Sequence, residues 1–249
     1  MFQAKAPMRG KSRRASNKMP LAVSLPTCRT PLHGVVVRNA LPSRVARCSE
    51  RSNTTEDIMA TTKPGERKLQ ILQALAAMLE QPKGEKITTA ALAAKLQVSE
   101  AALYRHFASK AQMFEGLIEF IESTVFGLIN QITEEQQSGL AQVQDVVGML
   151  LNFAEKNPGM TRVIIGDALV NEDERLQARM NQFIERIELA IRQALRTAAS
   201  QSQIPEDQIA LRAGMITSLI VGRWHRYAKS GFKQSPSEGA PAQMAVMLA

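Results

Sequence analysis

The chain has 249 residues, 4 % of them aromatic, and a formal net charge of +8, long enough to bury a core in one large domain or two small ones. Residues 1–58 hold eleven Lys/Arg against three Asp/Glu and both cysteines, Cys28 and Cys48, whereas 59–249 hold twenty of each sign and no cysteine. That distribution excludes a disulfide framework or a cysteine metal site from 59–249, which fits a reducing cytoplasm. The longest apolar run, 213–222, falls well short of the roughly 18–20 residues that span a bilayer.

Residues 1–58 carry Pro7, Pro20, Pro26, Pro31 and Pro42 with scattered Arg and Ser and no sustained period. They are expected to be a disordered or mis-started extension. Three readings stand open: a translation start placed upstream of the true one, because Met59-Ala60 leads directly into the first helical pattern; a basic arm that touches DNA phosphates; or an Arg-rich, acid-poor transit peptide.

From there the pattern is helical throughout, and abundant Ala, Leu, Ile, Met, Gln and Glu favour it. Leu69, Leu72, Leu75, Ala76 and Leu79 form one apolar stripe of a helix over about 66–80, ended by Gln81-Pro82-Lys83-Gly84. A second helix is predicted over 89–96 with Thr88 as N-cap, and a third over 100–107 capped by Ser99. Ser109 and Gln112 fit a capping box that opens a fourth, to about 134, with Phe114, Leu117, Ile118, Ile121, Val125, Leu128 and Ile132 as its stripe. A fifth covers about 140–156. Asn157-Pro158 places Asn at a cap and Pro at the first position of a sixth, to about 170. A seventh runs over about 174–199 on Leu176, Met180, Phe183, Ile187, Ile191 and Leu195. Pro205 opens an eighth, to about 229, and a short last helix covers 240–249. No alternating strand pattern and no internal repeat is present. The expected fold class is all-α: an N-terminal three-helix helix-turn-helix domain (59–110) followed by a C-terminal helical dimerisation and partner-binding domain (111–249).

The segment 88–107 carries the functional reading. Two short helices that cross at a tight turn need small side chains where they touch, and Ala90, Ala91, Ala93 and Ala94 supply them. Leu92, Leu96, Val98, Leu103 and Phe107 form the core they share with the first helix. The third helix begins with Ser99, Glu100, Ala101 and Ala102, and small residues there let its N-terminus approach base edges in the major groove. Tyr104, Arg105, His106 and Lys110 follow where the flanking backbone would lie, and a Tyr hydroxyl or a Lys ammonium is an ordinary phosphate contact. Thr88 and Thr89, at the start of the second helix, offer hydroxyls and free N–H groups to another phosphate. Gln97 occupies a turn position that tends to be left-handed, at a cost on the order of 1 kcal/mol for a non-glycine residue.

The decapeptide Ala101-Ala102-Leu103-Tyr104-Arg105-His106-Phe107-Ala108-Ser109-Lys110 resembles TetR-type regulators. Further on, Leu117-Ile118-Glu119-Phe120-Ile121-Glu122, Asn157-Pro158-Gly159-Met160-Thr161-Arg162, Arg175-Leu176-Gln177 and Asn181-Gln182 with Phe183-Ile184-Glu185-Arg186-Ile187-Glu188 are similar to the nucleoid occlusion branch of that family. The likeness covers about 60–249 and is weakest after Arg196. It implies a cytoplasmic, nucleoid-associated homodimer that binds palindromic chromosomal sites and, once on DNA, inhibits the division protein FtsZ so that no ring closes over unsegregated DNA. It also implies that the FtsZ tail lies near the groove between the fourth and fifth helices. Phe120, Lys156 and Asn157 match the implicated pattern, Lys156 as a Lys-for-Arg change. Leu128, Met149 and Asn152 depart from it, and Leu128 stands where a basic residue is expected.

Two features bear on this independently. At 100° per residue, Phe120 and Phe126 lie about 120° from the centre of the fourth helix's stripe, which fits either a partner surface or packing on the first or seventh helix. In the eighth helix Ala213, Gly214, Met215, Ile216, Leu219, Ile220, Val221 and Gly222 are apolar nearly all round, so two sides need cover. A symmetry mate approaching at Gly214 and Gly222 would set the reading helices about 34–36 Å apart. A ligand-responsive repressor is the alternative, with Met149, Met160, Met180 and Phe183 as candidate pocket lining or, as Met at helical spacing more often is, as core. No cofactor, metal or catalytic residue is expected. Residues 59–249 contain only His106 and His225 and no Ser/His/Asp set or Gly-rich phosphate loop. Glu172-Asp173-Glu174 reads as a solvated helix start, and Trp224 and His225 as interface residues.

Overall fold

The computed structural model describes residues 64–81 and 87–249; the readings made for 1–58 lie outside the described residues. Among the described residues there are nine α-helices and no strand. They are α1 (Pro64–Leu79), α2 (Thr89–Lys95), α3 (Glu100–Tyr104), α4 (Lys110–Glu135), α5 (Gly139–Lys156), α6 (Pro158–Ile164), α7 (Glu174–Ser200), α8 (Ile209–Lys229) and α9 (Ala240–Leu248).

The N-terminal head is α1–α3. Ile71, Leu75, Ala76 and Leu79 face its core with Leu92, Ala93, Leu103 and Phe107, while Leu69 is exposed. The buried stripe of α1 is therefore centred on Ile71 and Leu75, a rotation from the expected one. α2 ends in a Schellman motif: the Gln97 N–H reaches the Ala94 carbonyl, the Val98 N–H reaches the Ala93 carbonyl, and Gln97 sits at φ 55°. This is the left-handed residue the turn demands.

Behind the head, α4 and α5 form an antiparallel hairpin. Its register is pinned by Gln142, a buried amide whose Nε2 donates to the Thr133 and Gln136 carbonyls. α5 packs on α7 and α8, and α9 closes over α5 and α8. Trp224 is fully buried in α8, and its indole N–H donates to the Leu150 carbonyl at 3.3 Å. Trp224 is thus core, not the interface residue its sequence position suggested.

Several boundaries differ from expectation for local reasons. α3 stops at Tyr104 because the chain must turn into the cap of α4, where Ser109 Oγ accepts from the Gln112 N–H and Gln112 Oε1 takes the Ala108 N–H. α6 stops at Ile164, since Gly166 adopts φ 79° and starts a 3₁₀ turn over Asp167–Leu169. Asn157 does not cap α6 with its side chain; its Nδ2 turns back to the Phe153 carbonyl at the end of α5. Between Pro205 and α8 lies a 3₁₀ turn, Glu206–Gln208.

Candidate nucleic-acid interface and partner groove

The residues expected to touch DNA gather on the first turns of α2 and α3 and on the link to α4. Thr88 Oγ1 accepts the Ala91 N–H at 3.1 Å, and Ser99 Oγ accepts the Ala102 N–H at 3.2 Å. A hydroxyl that caps in this way spends an acceptor site and keeps its proton for another partner. Thr89 differs: its hydroxyl donates to Glu100 Oε2 at 2.7 Å, tying the two helix starts together. Glu100 and Ala101 are exposed and Ala102 is half-buried. Tyr104 is 45 % exposed although it is a large aromatic residue. Arg105 is exposed beside it and His106 is half-buried.

Lys110 is held by a protein partner that the sequence pattern did not foretell. Its ammonium forms an ion pair with Glu172 of the loop before α7. Glu172 therefore belongs to the interface between head and body rather than to a solvated charge run, a pairing across 62 residues that no local pattern reveals. Asp173 does act as a helix start. It caps α7 through the Arg175 N–H, and hydrogen bonds from the Arg175 guanidinium hold its carboxyl down at about 2. Arg162 fastens the same region. Its guanidinium donates to the Leu79 and Gln81 carbonyls at the end of α1 and to Asp167. A cleft of about 280 Å³ between head and body is lined by Lys110, Phe114, Arg162, Val170 and Glu172, among others.

The second group lies at the α4–α5 hairpin. Phe120 stands as far back along α4 from Thr133 as Glu155 lies ahead of Gln142 on α5. The register pinned at Gln142 therefore brings Phe120 level with Lys156 and Asn157. Phe120 and Asn157 are half-buried and Lys156 is exposed. Leu128 and Met149 are half-buried and Asn152 is exposed. Phe126 packs on α7, edge-on to Phe183 at 5.5 Å, with the Arg186 guanidinium 3.8 Å from its ring centroid. Of the two readings left open for Phe126, the structure favours packing. Met160, Met180 and Phe183, candidates for a ligand pocket, are buried within the core.

A capped pair of short helices around a left-handed turn, set on an all-helical body, defines the class: a helix-turn-helix regulator of the TetR type. Residues 71–117 match the family described as bacterial regulatory proteins, tetR family, and residues 137–248 match the SlmA-like form of the tetracyclin repressor-like C-terminal domain. Nucleoid occlusion factor SlmA of Marinomonas sp. (strain MWYL1) is 47 % identical over 188 residues, 75 % of this chain and 95 % of that protein. The same-named protein of Idiomarina loihiensis is 50 % identical over 183 residues, 73 % of this chain and 93 % of that protein. The chain belongs to the SlmA family of nucleoid occlusion factors. Its fold is also that of the transcriptional regulator FadR from Bacillus subtilis, solved in complex with stearoyl-CoA, with TM-score 0.61 and 13 % identity over 73 % of this chain and 97 % of that one. Among the described residues no helix is long and apolar enough to cross a membrane.

Proposed function

We propose that the protein is a nucleoid occlusion factor: it binds specific palindromic chromosomal sites as a homodimer and, when on DNA, inhibits FtsZ ring assembly over the nucleoid. The observation that carries this reading is the 47 % identity to a nucleoid occlusion factor along 95 % of that factor's length. In this reading the head at 59–110 holds the duplex. Thr88, Tyr104, Arg105, His106 and Lys110 take phosphates, while Ser99, Glu100, Ala101 and Ala102 face the bases. The body at 111–249 pairs with its mate and receives FtsZ near Phe120, Lys156 and Asn157. The protein would work in the cytoplasm, on the nucleoid.

Dimerisation has support in the surface of the body. Leu189 of α7 is 57 % exposed, and Leu211 and Met215 of α8 are 65 % and 48 % exposed. A side chain added at Gly214 or Gly222 of α8 would meet open space. An uncovered apolar face with room for close helix approach suits a two-fold mate.

The test is FtsZ polymerisation, followed by sedimentation, with the protein alone, with random duplex and with a genomically selected duplex. Inhibition should require the selected duplex. Phe120→Ala and Asn157→Ala should keep DNA binding and lose inhibition. Equal inhibition without DNA, or loss of both properties together, would remove the reading.

A further inference from the structure

We propose that Glu100 selects a cytosine in the major groove through the base's exocyclic amine, and that Thr89 is the positioning residue that aims it. This rests on the DNA-binding reading above and adds to it which base the head demands. Thr89 opens α2 and Glu100 opens α3, eleven residues apart in the chain, and the 2.7 Å bond between them fixes the carboxylate relative to both helices. A threonine hydroxyl has one proton. Given to Glu100, that proton is not available to a phosphate, so Thr89 does different work from its neighbour Thr88.

The remaining acceptor sites of Glu100 point to a donor. A carboxylate offers about four lone-pair sites, and one is used by Thr89. Among the described residues no Lys, Arg or His lies within ion-pair distance of Glu100. The side chain is exposed, at the start of the helix whose next residues, Ala101 and Ala102, leave room for a base edge. Inside a groove flanked by phosphates, an anion with unsatisfied acceptors is unfavourable unless a donor meets it. Guanine presents two acceptors in the major groove, and thymine presents a carbonyl and a methyl group. Adenine offers an amine beside the N7 acceptor, which would face the second carboxylate oxygen. Cytosine offers its amine with no neighbouring acceptor. Glu100 therefore accepts cytosine and acts against the other bases by repulsion, the negative half of specificity.

The experiment selects duplexes from a randomised pool with the full chain, then measures competition at one fixed salt concentration for the wild type, Glu100→Gln, Thr89→Val and Thr89→Ser. The wild type should prefer a C·G pair at one position of each half-site by about tenfold. Glu100→Gln should lose that preference and turn to A·T at the same position, since a carboxamide pairs with adenine N6 and N7. Its binding to random duplex should tighten, since one negative charge facing the phosphates is gone, and an unchanged circular dichroism spectrum and Tm show that it is folded. Thr89→Val should flatten the choice at that one position several-fold, and Thr89→Ser should keep it. Unaltered base choice in Glu100→Gln overturns the assignment, and identical choice in Thr89→Val and Thr89→Ser overturns the role of Thr89. A wild type that binds every duplex alike instead overturns the DNA-reading proposal itself.

Discussion

Replacing Glu172 by Gln should loosen the fold and tighten DNA binding at once. The Lys110 and Glu172 side chains are 23 % and 14 % exposed, so their pair lies between an exposed bridge, worth about 0–1 kcal/mol, and a buried one, whose breakage costs about 3–5 kcal/mol. A loss of about 1–2 kcal/mol follows, or roughly 3–6 °C in Tm for a chain of this size. The effect on DNA has the opposite sign. A phosphate seated on the Lys110 ammonium would stand roughly 7 Å from the Glu172 carboxylate, and the repulsion at solvent dielectric is about 0.6 kcal/mol. Removing it should tighten each head about threefold, and a two-headed dimer about tenfold, at low salt. Lys110→Ala should lower stability in the same way. It should also weaken binding to all duplexes and flatten the salt dependence by about 0.9 per head. Thermal unfolding and fluorescence anisotropy across a salt series measure both quantities on the same samples. If affinity and salt slope stay at wild-type values in both variants while Tm falls, Lys110 is a brace between head and body and touches no phosphate.

A Cβ built on Gly159 would overlap the Ala76 carbonyl oxygen of α1 and crowd the Leu79 Cβ at 3.2 Å. Gly159→Ala should therefore cost about 1–3 kcal/mol or more by overpacking. Gly127→Ala, which meets nothing within 4 Å, should gain about 0.5–1 kcal/mol as a helical glycine replaced; thermal unfolding separates the two. At Asp167, burial alone would push the carboxyl up, but hydrogen bonds from Lys229 and Arg162 outweigh it and hold the group below its ordinary 3.8. A depressed carboxylate adds stability above its unfolded value and loses it as pH falls through the folded one. Asp167→Asn should thus unfold at a lower temperature than wild type at pH 7, and the gap should close on acidification through and below 3.8.

These residues share a place in the fold, where the reading head meets the body. Gly159 lets α6 lie against α1, Arg162 reaches from α6 to the carbonyls that end α1, and Lys110 is held by the loop ahead of α7. α4 leaves the head at Lys110 and continues without interruption to Glu135 beside α5. A tilt of the head therefore has to move α4 and α6 or break these fastenings. Both Phe120 on α4 and Asn157 at the start of α6 stand on the elements that would move. Under the proposed function, this is a physical route by which DNA binding at the head would reach Phe120 and Asn157 along continuous helices.

What could be read in the sequence was what local chemistry dictates. Thr88, Ser99 and Ser109 are found as caps because a hydroxyl before a helix has one obvious use, and left-handed Gln97 follows from the two-helix geometry. Periodicity was weaker: Leu69 and Ile71 both continue an apolar stripe, and only the packing of α1 against α2, α4 and α6 leaves Ile71 inside and Leu69 exposed. Long-range pairings had no signature. Glu172 sits in an acidic triplet that resembles a solvated start, yet only Asp173 plays that part, and Glu172 finds its cation 62 residues away. Phe126 shows the limit most clearly. Its angle on the helical wheel correctly removed it from the main stripe of α4, but an off-stripe aromatic can meet solvent, a partner or another helix. Only the arrival of Phe183 and Arg186 from α7 distinguishes these outcomes. Phe120, as far from the stripe but on its opposite flank, is half-buried at the end of the hairpin where Lys156 and Asn157 stand, so one angular deviation covers two residues with different surroundings.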